Sequence, residues 1–374
     1  MQKIILAFFL SFFILYGVHA QVVGFKTIRV YDSSRVYRSG TDVRDPLHFR
    51  PVDLDLWYPA SIQGGDTALV YGDMLRLFEE RAGFYPGTAT PEGLSRQMAK
   101  AFCDGFGCGD SVKLLNYRLK SYGRRPGLKG KWPLVVYLAS YGSTGFENVA
   151  LFEGLAMQGY VVLSLSSIGR FPGDMTTEPE DLFEQVKDAE FGIHYLHSDP
   201  DIDLGKLAIV GYSWGGLAGN LLAAQVPNVR CIVSMEGSEF HHYGQKEPDS
   251  KKEDSNFNRL VHTREFIDRS MSVPYLRFES GPSTSSHSDS FDSVFNFAGG
   301  IPDKRILQLN EGKHEDFCCI GPYTWAAGNC PDNGKYVAVL KLTLAFLDEK
   351  MRSGVGFDNL AQGYIPATMK DVTK

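Results

Sequence analysis

Past its first twenty residues the sequence holds no apolar run long enough to cross a bilayer, so no second membrane span is expected. It has no C-x-x-C pair, which leaves zinc modules built on paired cysteines without their usual ligands. It has no marked excess of either charge. The 38 Lys and Arg against 44 Asp and Glu leave a net charge of −6, which argues against nucleic acid or an anionic membrane as the main partner. Internal repeats and low-complexity runs are also missing.

What is present is ample core material, at 43% hydrophobic residues in a chain of 374. That is long for one average domain, but α/β enzymes with elaborated loops reach this length. Lys3 followed by the apolar run Ile4 to Val18, with Val18-His19-Ala20 before Gln21, reads as a signal peptide over residues 1–20 and implies a secreted or periplasmic protein. An uncleaved anchor is the rival. No cysteine follows the cut, so a lipid-anchored form is not indicated.

Export makes disulfides permissible for the six cysteines. Cys103 and Cys108 flank a Gly-rich loop, Cys231 sits in a strand pattern, and Cys318, Cys319 and Cys330 share a loop. At least one disulfide is expected to tie that last loop, and the spacing from Cys319 to Cys330 is long enough to close one. A zinc site built from His314 and these cysteines is the competing reading.

The expected fold class is α/β. Phe25 to Tyr31 and the alternating Val52, Leu54 and Leu56 predict two strands, the second closed by Pro59. From Gln63 to Lys131 the strand rhythm stops, with helices expected at Met74–Arg81 and Glu92–Phe102, as in an insertion. Thereafter Leu134–Ala139, Tyr160–Leu165, Lys206–Val210, Arg230–Met235, Tyr275–Phe278 and Arg305–Leu309 read as strands. Helices are expected at Phe146–Met157, Pro179–His197 and Tyr336–Met351. Unbroken apolar strands alternating with helices predict a mostly parallel sheet covered on both faces. The charged stretch of about 238–270 reads as a polar excursion at the rim. One domain, 21–374, would carry both insertions.

The most informative stretch is LAIVGYSWGG at 207–216. An apolar strand runs into Gly211-Tyr212-Ser213-Trp214-Gly215, and a small-residue helix pattern follows at once. A sharp strand-to-helix turn strains the backbone at its apex. The positions two before and two after must therefore be nearly free of side chain, which Gly211 and Gly215 supply. Ser213 is then exposed at the positive end of a helix, as a nucleophile requires. His314, after an apolar strand in Glu311-Gly312-Lys313-His314, is placed to serve as its base. His287 is a weaker competitor. His194 and His197 read as surface or packing residues, and His241 and His242 as solvated.

These segments resemble the α/β-hydrolase family, and within it the secreted platelet-activating-factor acetylhydrolase and dienelactone-hydrolase-like branch. The likeness rests on LWYPA at 56–60, VVYLASYGST at 135–144, LAMQGYVVLSLSSIGR at 155–170, the elbow, SMEGS at 234–238 and NEGKHEDF at 310–317. It implies an α/β-hydrolase fold and the chain order Ser, acid, His. It also implies an oxyanion hole from the N–H groups of Trp214 and Ser143, with Tyr141 standing where relatives carry His. Many hydrolases of this fold place the acid in a G-x-x-D turn, but here that turn reads Gly281-Pro282-Ser283-Thr284. Glu236, ending the strand after the elbow helix where the resembling branch carries its acid, is favoured over Glu279, with Asp289 or Asp292 remaining. Gly237 would let the backbone draw back for the longer side chain.

The expected activity is hydrolysis of carboxylic esters through an acyl-enzyme, without metal or organic cofactor. The resemblance implies short acyl esters, phospholipid-type ones among them, taken as small-molecule or lipid substrates. A carbohydrate acyl esterase is the close alternative, and a catalytically silent binding protein on the same fold is the rival of another class. A peptidase is less favoured, since no propeller or lid domain is visible. The insertion 63–131 is expected to line the acyl pocket.

Overall fold

The computed structural model describes residues 21–62, 65–171, 175–238, 250–280, 301 and 303–373. The signal peptide, His241, His242, His287, Asp289 and Asp292 lie outside them. In chain order the strands are β1 Gln21–Val36, β2 Phe49–Ser61, β3 Ala68–Val70, β4 Arg118–Gly123, β5 Trp132–Leu138, β6 Val161–Leu165, β7 Ile202–Tyr212, β8 Val229–Met235, β9 Tyr275–Glu279, β10 Lys304–Leu309 and β11 Met369–Asp371. They form one sheet in the order β11-β10-β9-β8-β7-β5-β6-β2-β1-β4-β3. The central run from β6 through β5, β7, β8 and β9 to β10 is parallel.

Alternation along each strand divides the core between the two faces. Val135 and Tyr137 of β5, with Ala208, Val210 and Tyr212 of β7, pack into one cluster. Its cover is α4 (Val149–Met157) and α10 (Lys335–Arg352). Leu134, Val136 and Leu138, with Leu207 and Ile209, pack into the other, under α5 (Pro179–Leu196) and α6 (Trp214–Gln225). Every strand and helix expected from the apolar pattern is present, within a few residues of its expected ends.

The two insertions are more integrated than the sequence implied. Residues 63–131 hold α1 (Tyr71–Phe84), α2 (Leu94–Gly105) and α3 (Ser111–Leu115), but also return to the sheet as β3 and β4. Arg81 of α1 forms ion pairs with Asp53 and Asp55 of β2, both at 2.8 Å, so the insertion is clamped to the sheet by buried charges. The 238–270 stretch is not merely a polar rim. It contains α7 (Ser250–Val261) and α8 (Arg264–Ile267), whose Phe257, Leu260, Val261 and Phe266 are buried in the second cluster.

A disulfide does tie the loop behind His314, but it joins Cys330 to Cys108 rather than to Cys319. Cys318 and Cys319 stay free thiols, both buried at the start of α9 (Ile320–Gly328). The bridge links the α2–α3 insertion to the segment after His314, 222 residues apart in sequence. Constraining so long a loop in the unfolded chain stabilises the fold by about 5 kcal/mol on chain-entropy grounds. Cys330→Ser should therefore lose about that much unfolding free energy and show a lower denaturant midpoint, and a midpoint equal to that of the oxidised parent would contradict it.

Candidate active site

β7 delivers Ser213 near the middle of the sheet, between β5 and β8. The serine adopts φ 55° and ψ −122°, a strained conformation for a residue with a side chain. The elbow glycines are required sterically. A Cβ at Gly211 would lie 2.1 Å from the Gly215 carbonyl oxygen, and one at Gly215 would lie 2.0 Å from that of Leu138. The strain is held from outside the turn: the Ser213 N–H donates to Met235 O (2.9 Å), and Ser213 O accepts from Gly216 and Ser238 (both 2.9 Å).

His314 opens a single helical turn, His314–Phe317, after β10. Its ring stacks on Tyr212, the residue before the serine, with centroids 5.0 Å apart and planes 29° from parallel. The Tyr212 hydroxyl donates to the His314 carbonyl (2.8 Å), so one side chain fixes both the ring and the backbone of the histidine. The turn is pinned further by Asp316, which accepts from the Lys313 N–H (2.9 Å) and the Asn333 amide (2.8 Å). His314 keeps an accessible surface, yet surrounding protein is the strongest influence on the imidazole. This desolvation holds its pKa below the usual imidazole range, against the raising fields of Glu236 and Glu315.

A base with a depressed pKa is neutral, and competent, to lower pH than a free histidine. The acid limb of kcat/KM should accordingly fall below about pH 6.5. A limb at or above that value would show that His314 is not the titrating base.

Glu236 is buried directly after β8, with φ 46°. The backbone adjustment assigned to Gly237 is thus made by the glutamate itself, a second strained non-glycine residue at this end of the sheet. Its carboxylate accepts the Ser280 hydroxyl (2.7 Å) and the Ser280 N–H. Its link to His314 is electrostatic rather than a direct hydrogen bond. Glu279 faces elsewhere: it accepts from the Arg277 guanidinium and the Gln308 amide, both at 3.3 Å, and exerts no comparable field on the imidazole.

Trp214 opens α6, so its N–H is one of the first-turn donors with no acceptor inside the helix. Ser143 is different. Its N–H donates to Ser140 O (3.1 Å), closing the turn after β5, and must be released or shared before it can receive an oxyanion. Tyr141 braces this turn, because its hydroxyl donates to Met175 O (2.6 Å) and its ring meets Trp214 edge-on at 6.0 Å. Sequence reasoning missed the role of Tyr212, although its place beside the serine was visible. It also missed Ser280, which no sequence signal marks.

Of the other candidates, His194 and His197 lie at the far end of α5, away from this arrangement. Among the described residues no group of three His, Cys, Asp or Glu is disposed to hold a metal ion. A cavity of about 610 Å³, lined in part by Lys26, Tyr58, Arg124 and Trp132, opens where β5, β6 and β7 begin, at the opposite end of the parallel strands from Ser213.

The chain is similar over residues 117–247 to the X-Pro dipeptidyl-peptidase (S15 family) profile. No curated protein matches it. Among solved structures it is similar to a ferulic acid esterase from Streptomyces cinnamoneus, at 18% identity and a TM-score of 0.59, covering 89% of this chain and 91% of that one. It also aligns with the Pyrococcus horikoshii acylaminoacyl peptidase at 14% identity and a TM-score of 0.49, covering 91% of this chain and 44% of that one. The fold is that of the α/β hydrolases, as read from the sequence. No described helix is long and apolar enough to cross a membrane.

Proposed function

We propose that this α/β-hydrolase-fold protein is a secreted serine hydrolase that cleaves carboxylic esters through an acyl-enzyme. The observation that carries the reading is the strained Ser213, with His314 stacked on the neighbouring Tyr212 and under the field of the buried Glu236. In this mechanism His314 takes the proton as Ser213 attacks the carbonyl carbon, then returns it to the leaving alcohol. Water, activated by the same histidine, releases the acid. The Trp214 N–H receives the oxyanion, joined by the Ser143 N–H once its turn opens. Glu236 stabilises the imidazolium through its field.

A short acyl group, as in the acetylhydrolase-like branch, and a carbohydrate-linked ester both belong to this reading. The likeness to a ferulic acid esterase supports an ester as the scissile bond. A second reading, cleavage after proline in peptides, is favoured by the S15 profile over 117–247. A panel of chromogenic esters from acetyl to long acyl, run beside X-Pro amides, separates the two. Turnover of short esters with inert amides is the expected result, and efficient amide cleavage with inert esters would reverse it.

A further inference from the structure

A buried glutamate outside the three proposed catalytic side chains joins the two loops on which they depend. Glu147 lies just before α4, is 5% exposed, and among the described residues has no basic partner. Its carboxylate accepts the Ser140 N–H (2.8 Å), the Ser140 hydroxyl (2.6 Å) and the Tyr137 hydroxyl (2.9 Å). It thereby grips the turn that carries Ser143 and Tyr141. Its backbone carbonyl accepts the Cys319 N–H (3.0 Å), at the end of the segment that begins with His314. The next residue, Asn148, repeats the link: its amide donates to the Tyr137 hydroxyl (2.8 Å) and to Phe317 O (3.2 Å), and its carbonyl accepts the Tyr336 hydroxyl (2.9 Å).

A buried ionisable group without a counter-charge is a costly way to fill space, and here desolvation pushes its pKa up despite the hydroxyl and N–H donors around it. What it gains is geometry that an apolar residue could not provide. We propose that Glu147 is a positioning residue of this site, its carboxylate fixing the oxyanion turn to a corner that its main chain and Asn148 tie to the His314 segment across Ser213. The inference rests on the reading of Ser213 as nucleophile. Misplacement of catalytic groups by about 1 Å costs roughly a hundredfold in rate, and it acts on the transition state rather than on substrate binding.

Glu153, further along α4, supplies the control. It is also buried, accepts the Lys120 N–H (2.7 Å) and the Ser121 hydroxyl (2.6 Å), and makes no hydrogen bond to either loop. With active sites titrated, Glu147→Gln should lower kcat by roughly 10- to 1000-fold with KM within about twofold, whereas Glu153→Gln lowers Tm and leaves kcat per site unchanged. Wild-type kcat per site in Glu147→Gln, or an equal kcat loss in Glu153→Gln, overturns the proposal. If Glu147→Gln yields no folded protein, Ser140→Ala, which deletes only the hydroxyl bond, is judged by the same kcat and KM criteria. Activity surviving in Ser213→Ala would instead remove the underlying reading of the site.

Discussion

Ser213→Ala is expected to abolish nearly all esterase activity while leaving the protein folded. The group lost is a single hydroxyl, so no cavity of consequence opens. The bonds that hold the turn, from Ser213 N to Met235 O and from Gly216 and Ser238 to Ser213 O, involve only main chain and survive the substitution. The positive φ of 55° remains, and alanine tolerates it no worse than serine. Rate, in contrast, depends on a covalent intermediate that alanine cannot form. Loss of the nucleophile alone costs on the order of a millionfold in a serine hydrolase whose triad acts as a unit. Wild-type circular dichroism and Tm with residual activity under one per cent would fit the account. Retention of more than a few per cent of the rate would not.

The second large effect is expected at Glu236. Glu236→Gln removes the charge that raises the His314 pKa but keeps the shape and one oxygen able to accept from Ser280. Two consequences follow from one change. The maximal rate should fall by roughly a few orders of magnitude, as it does when the triad acid loses the charge that stabilises the imidazolium, with little change in KM. The acid limb of kcat/KM should also move to still lower pH, since desolvation then acts on the imidazole with less opposition. Glu279→Gln, which breaks only contacts to Arg277 and Gln308, should do neither. A deeper loss at Glu279 than at Glu236 would exchange their roles.

The strands of the parallel core were legible because burial on both faces makes them nearly continuous apolar runs with sharp ends. Ser213 is read from the G-x-S-x-G turn that closes one such run, and Glu236 from the resemblance, as the carboxylate that ends the strand after the elbow helix. The elbow was legible because its sterics admit only glycine at 211 and 215. Elements whose partners are distant in the chain were not legible. Strand β4 buries Leu119 and Ser121 between exposed Arg118 and Lys120. Its inward serine is satisfied by Glu153 of α4, so the alternation did not read as apolar. In α7 the spacing of Phe257, Leu260 and Val261 was helical, but the preceding Lys251, Lys252, Glu253 and Asp254 masked it. The Cys108–Cys330 pairing and the Glu147 bridge each join segments far apart in sequence, and nothing local announces either.

The central claim is that Ser213 forms the covalent bond, and a fluorophosphonate probe tests it on the intact protein. Mass mapping after labelling should place a single adduct on the peptide containing Ser213. Labelling should vanish in Ser213→Ala and be slowed in a His314→Ala variant. An adduct on any other residue, or folded protein that hydrolyses esters without being labelled at Ser213, would contradict the account.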